Sequence, residues 1–158
     1  MCVQIAELNE RIVELERDLR QRAREDERTE RLMSIPGIGP LCAMAIQAFG
    51  PPLENFRRGR DFAACLGLVP RQSSTGGKPK LGRISKMGQR DLRRLLVVGA
   101  MATVGCAVRR GTTDPWLARM LARKPRMLVA VALANRRARI AWALMTNNEY
   151  YRAPLPTA

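Results

Sequence analysis

The chain has 158 residues, 46% hydrophobic but only 4% aromatic, with 28 Lys and Arg against 14 Asp and Glu and a formal net charge of +14. That length fits one domain plus an appendage, with a core of Leu, Val, Ile, Met and Ala. There is no histidine, and Cys2, Cys42, Cys65 and Cys106 form no C-x-x-C pair, which excludes a His-dependent hydrolase centre and a finger-type zinc site within the chain.

The charge is uneven. Residues 1–31 hold nine acids and seven bases, whereas residues 32–158 hold five acids and twenty-one bases. Twenty-four of the 28 bases are Arg, which suits planar, bidentate contact with phosphate, so a polyanionic partner is expected. Spaced cysteines without a signal peptide predict reduced, mostly buried thiols in a cytoplasmic protein. The uncharged run Leu95–Val108 is too short to span a bilayer, so no membrane partner is expected.

In chain order, Ile5, Leu8, Ile12, Leu15 and Leu19 follow the 3-4-3-4 spacing of a heptad seam, with Glu7–Arg11 and Glu16–Arg20 as supporting i,i+4 pairs. This predicts a coiled-coil helix over 1–31 and a homo-oligomer. The alternative is an amphipathic helix lying on the body. A chain opening directly into a heptad reads as a piece of something longer.

Next, Ser34-Ile35-Pro36-Gly37-Ile38-Gly39-Pro40 precedes the apolar run Leu41–Phe49, the pattern of a helix-hairpin-helix. Amides at Gly37 and Gly39 would face a DNA phosphate there without reading sequence. An αα-corner with glycines for close packing is the competing reading. Pro51-Pro52 stops the second helix, and 56–68 predicts another short one. Gln89–Val108 predicts a helix buried along Leu92, Leu95, Leu96, Gly99, Thr103 and Cys106. Asp114-Pro115 is an N-cap with proline at N1. A last helix is expected over 125–146, with Leu128, Val131, Ala132, Ile140 and Trp142 inward and Arg136, Arg137 and Arg139 partly outward. The tail from 152 reads as disordered. The fold class is all-α, with only Val69–Ile84 able to form a short hairpin or loop, and the helical body spans 32–151.

The stretch 67–96, GLVPRQSSTGGKPKLGRISKMGQRDLRRLL, carries the most chemistry. Ser73, Ser74 and Thr75 precede Gly76-Gly77, where the backbone can approach a ligand closely. Lys78, Lys80, Arg83, Lys86, Arg90, Arg93 and Arg94 follow as candidate phosphate-binding residues. Hydroxyls among cations can hold a phosphodiester or attack it. No internal proton acceptor stands out, since Asp61 and Asp91 are the nearest acids on either side. The five acids after Arg31 (Glu54, Asp61, Asp91, Asp114 and Glu149) show no metal-ligand spacing, so no metal or other cofactor is expected within the chain.

Three segments, SIPGIGP at 34–40, FAACLGLVPRQSSTGGKPKLGRISKMGQRDLRRLL at 62–96 and ARIAWAL at 138–144, resemble in order and spacing the coiled coil and C-terminal domain of the transposase family named for insertion sequences 110, 116 and 902. The resemblance covers about residues 5–151. It implies a DNA-cleaving and strand-exchanging recombinase whose C-terminal domain supplies a serine nucleophile. The family's N-terminal RuvC-like domain carries four acids that bind divalent metal, so Mg²⁺ is expected there and not in this chain. A structured guide RNA is the implied partner beside DNA. Ser74 aligns best with the family's serine, and Ser73 is the alternative. No RuvC-like domain precedes the coiled coil in these 158 residues. The expectation is therefore a transposase fragment inactive by itself, with a non-catalytic nucleic-acid-binding relic as the alternative.

Overall fold

The computed structural model describes residues 2–75 and 78–153. Among them lie seven α-helices, one 3-10 turn and one two-stranded sheet, so the fold is mostly α. The glycine pair Gly76-Gly77 and the part of the expected disordered tail from 154 onward lie outside the described residues.

Helix α1 (Cys2–Glu25) stops at Asp26, which caps α2 (Glu27–Met33) by accepting from the Thr29 amide at 2.8 Å. The expected helix over 1–31 therefore breaks into two. The reason is local: an Asp side chain competes for the backbone and favours a helix start. The Thr29 hydroxyl also donates to Asp26 at 2.6 Å, and these bonds hold the Asp26 carboxyl below its ordinary range. Ala23, Thr29 and Leu32 are buried, so the last turn of α1 and all of α2 belong to the body. Arg20 pairs with Glu16 at 3.1 Å as expected, but Arg11 turns to Glu14 instead of Glu7, at 2.9 Å.

Helix α3 (Pro40–Phe49) follows a tight turn and ends before Pro51-Pro52. A 3-10 turn (Leu53–Asn55) leads to α4 (Gly59–Cys65). Strands β1 (Pro70–Thr75) and β2 (Lys78–Ile84) pair antiparallel as the hairpin, and α5 (Arg90–Arg110), α6 (Pro115–Arg123) and α7 (Arg126–Asn147) complete the body. At the start of α6 the Asp114 carboxylate accepts from the amides of Trp116 and Leu117, as the Asp-Pro pair predicts.

Helices α5 and α7 lie against each other and form the spine, with α4 and α2 packed on α7 and α3 on α5. Small residues allow this closeness: Ala100, Ala107, Ala130, Ala134, Ala138 and Ala141 are buried between larger Leu92, Leu96, Val129 and Phe62. Three expectations are corrected by this packing. Leu128 is exposed, because the α7 face turned to α5 begins at Val129. Cys65 and Cys106 are exposed, and only Cys42 among the described thiols is buried, where desolvation pushes its pKa up to about 11 and keeps it protonated. Arg137, expected partly outward, is 3% exposed. Among the described residues, no helix is long and apolar enough to cross a membrane.

Candidate nucleic-acid interface

The hairpin projects from a clasp at its base. Helix α4 ends in a Schellman motif: the amides of Gly67 and Leu68 donate to Ala64 and Ala63 carbonyls at 2.9 and 3.1 Å, with Gly67 at φ +70°. Across it, Gly88 at φ +77° lies so close to α4 that an added Cβ would sit 1.8 Å from the Cys65 carbonyl oxygen. The Arg93 guanidinium closes the clasp, donating to the carbonyls of Leu66 at 2.9 Å and Met87 at 3.0 Å. Arg93 is thus half-buried and occupied in holding the hairpin base. Its neighbours Arg90 and Arg94 are exposed.

Beyond the clasp, Ser85 donates its amide to Val69, and a bulge between Pro70 and Gln72 shifts the register. The register places Ser73 opposite Lys80, Ser74 opposite Pro79 and Thr75 opposite Lys78. Directly opposed residues share a face of the sheet, so Ser73 and Lys80, both exposed, are neighbours. Arg83 and Lys86 are also exposed, and Lys86 takes a left-handed backbone (φ +56°) as the chain turns back toward α5. From Pro70 to Arg90 the hairpin and its flank contain no acid, so the local charge is entirely positive.

The other expected contact, Gly37 and Gly39, forms an exposed turn. Gly39 caps α3 with open space around its Cα, and Pro40 occupies N1. The first amides of α3 have no partner within the helix and can meet an acceptor from outside. Gly37 does something else. At φ +81° it rests on the buried Arg137, whose guanidinium nitrogens lie 2.5 Å from where a Cβ would stand, and its carbonyl oxygen meets Gly99 of α5. Arg137 donates to the Thr103 hydroxyl at 2.6 Å, and burial lowers its pKa to about 10, so it stays a cation at neutral pH. Its Nη1 has no hydrogen-bond partner among the described residues.

A second basic concavity was not foreseen. A cleft of about 700 Å³ opens between the start of α4, α6 and α7, lined by Arg58, Arg60, Arg136 and Arg139 together with Trp116 and Trp142. The signal existed in the sequence, since Arg136 and Arg139 are three apart on one helix face and Arg57–Arg60 is a second cationic run. Only packing brings the two runs together. Among the described residues, no group of three or more His, Cys, Asp or Glu side chains comes together to hold a metal.

A mostly helical body carrying an exposed cationic hairpin with hydroxyls on one strand is the class of structure these residues define. The profile of the transposase IS116/IS110/IS902 family matches residues 29–114, and the chain belongs to that family. It is 49% identical over 146 residues to a probable family 20 transposase of Pseudomonas aeruginosa, covering 92% of this chain and 43% of that protein. It is 44% identical over 155 residues to a putative transposase of Sinorhizobium fredii, covering 96% and 38%. It is 42% identical over 145 residues to the transposase for insertion sequence element IS1328 of Yersinia enterocolitica, covering 91% and 43%. The chain therefore spans about two-fifths of the length of these relatives.

Proposed function

We propose that this chain binds DNA through the hairpin, the start of α5 and the Gly37–Gly39 turn, and that Ser74 is the nucleophile for DNA cleavage and strand exchange in transposition. The observation that carries this reading is the hairpin itself: Ser73 is exposed on β1, Lys80 and Arg83 are exposed on the paired strand β2, and residues 70–90 contain no acid. The serine oxygen would bond to phosphorus as the bond from phosphorus to the 3′ oxygen breaks. The serine proton leaves, and the 3′ oxygen gains one. The phosphoserine link conserves the bond energy, so a strand 3′-hydroxyl can reverse it. Lysine and arginine beside the hairpin would stabilise the charge on the phosphoryl oxygens. The donor set of the described residues does not fit a divalent metal, so no step here runs through one. Mg²⁺ and the guide RNA belong, on this reading, with the family's RuvC-like domain and its element.

Binding is tested by salt titration with duplex DNA. If six to eight phosphates are contacted, the log–log slope of affinity against salt is roughly −5 to −7. Lys80→Ala, Arg83→Ala and Arg94→Ala together should bring it about two to three units nearer zero, one for each lost phosphate contact. An affinity flat between low and moderate salt overturns the DNA reading. Arg93→Ala is expected to act differently, loosening the clasp and lowering thermal stability, because its guanidinium already serves two carbonyls.

The exposed stripe on α1 is proposed as a coiled-coil seam. Ile5, Leu8, Ile12 and Leu15 are each at least half exposed, although they are spaced to bury one face. The body does not cover them, so the reading of a helix lying flat on it loses its support. Leu15→Glu places a charge in that seam and should abolish self-association, seen as a fall in mass by light scattering. Equal masses for wild type and variant would remove the seam from the proposal.

A further inference from the structure

The described lining of the cleft between α4, α6 and α7 includes no residue of the hairpin or of the Gly37 turn. We infer that it binds an unpaired nucleotide of a nucleic-acid strand, with the base stacked in the tryptophan-lined floor and the phosphates on the arginine rim. The inference rests on the nucleic-acid reading above and goes beyond it by assigning a second site with a different preference.

Four observations point to that ligand. First, the chain has two tryptophans, and both line this cleft, each half-buried with part of its surface turned to solvent. Second, the lining carries Arg58, Arg60, Arg136 and Arg139 and no acid. Arg58, Arg60 and Arg139 form no ion pair with any described residue. Cations interleaved with aromatic rings are what a single strand requires: every base has a stacking face, and every linkage has a charge. Third, Arg136 is held in advance. Its guanidinium lies 4.8 Å over the Trp116 ring and donates to Asp114 at 2.9 Å, so a planar cation is fixed beside an indole before any ligand arrives. Fourth, about 700 Å³ is within the range of small-ligand pockets.

The backbone is arranged to make this cleft. Gly59 packs against α7 so tightly that an added Cβ would sit 2.9 Å from the Arg139 carbonyl oxygen and 3.2 Å from the Trp142 ring. The missing side chain brings Arg58 and Arg60 beside Arg139. Also in the lining, Asn135 of α7 donates to the Leu68 carbonyl at 3.1 Å, two residues before β1, so the cleft adjoins the base of the hairpin.

Because both tryptophans report on the cleft, intrinsic fluorescence of the full chain is the test. The probes are a twelve-nucleotide oligo(dT), a twelve-nucleotide oligo(U) and a blunt duplex of matching length. Stacking should quench emission with the single strands, while the duplex binds without comparable quenching. Arg58→Ala with Arg139→Ala should weaken single-strand binding by about tenfold or more and change duplex affinity by less than about threefold, as expected for losing two phosphate contacts at one site only. Both substitutions fall on exposed side chains, and a matching melting curve confirms the fold. Tighter oligo(U) assigns the cleft to RNA and tighter oligo(dT) to displaced DNA, and either supports the inference. Duplex binding without quenching by either strand overturns this inference alone. Equal losses for strand and duplex in the double variant overturn it too, by reducing the cleft to general charge. Failure of all three probes to bind overturns the nucleic-acid reading itself.

Discussion

Ser74→Ala is expected to erase the covalent protein–DNA adduct when the chain is supplied with a RuvC-like domain, guide RNA and target DNA. The same change should leave DNA binding within about 1 kcal/mol, since a hydroxyl contributes about one neutral hydrogen bond to the bound ground state. Denaturing electrophoresis of labelled DNA reads the adduct, and filter binding reads the affinity. Ser73→Ala should retain the adduct. The register makes this pair of variants discriminating, because Ser73 is opposite Lys80 whereas Ser74 is opposite Pro79. If the Ser73 variant loses the adduct and the Ser74 variant keeps it, the lysine-paired position is the nucleophile and the alignment is off by one. Retention by both leaves the hairpin as a phosphate-holding element without serine chemistry.

Gly37→Ala should destabilise the fold by about 3 kcal/mol. A left-handed backbone costs an L-residue roughly 1–2 kcal/mol, and crowding a packed site adds about 1–3. Both apply, since Gly37 has φ +81° and its Cβ would press on the buried Arg137 guanidinium. For a domain of this size the melting temperature should fall by roughly 6–12 °C. Arg137→Met should be nearly neutral by comparison, within about 1 kcal/mol. It keeps length and flexibility, loses one bond to Thr103, and removes a buried cation that no described carboxylate partners. In the Arg137→Met background Gly37→Ala should cost at least about 1 kcal/mol less, because a thioether end yields where a bonded guanidinium does not. Strictly additive effects would mean that the turn and α7 are not coupled through this contact.

Much of the molecule was legible in local sequence. The Asp114-Pro115 start, the proline stop after α3, the hairpin within 69–84 and the span of α5 each depend on residues within a few positions of one another. Caps, breakers and glycine turns act at that range, so their signals survive without knowledge of the fold. The family resemblance was legible for the same reason, as three ungapped segments. The break at Asp26 was also local, but the continuing Glu and Arg pattern around it concealed the cap.

What an arginine does was decided only by tertiary packing. Arg93, Arg94, Arg136, Arg137 and Arg139 are alike as letters, yet one clasps the hairpin, one is exposed beside it, one lies on an indole, one is buried under Gly37 and one rims a cleft. Periodicity fixes which helix face a residue occupies, not what other element covers that face. Here α4 covers part of α7 through Gly59, and the turn at Gly37 covers another part, from 80 and 100 residues away in sequence. Composition therefore determined that a polyanion is the partner to expect. The long-range close approaches allowed by Gly37, Gly59, Gly67 and Gly88 determined which cations remain free to meet it.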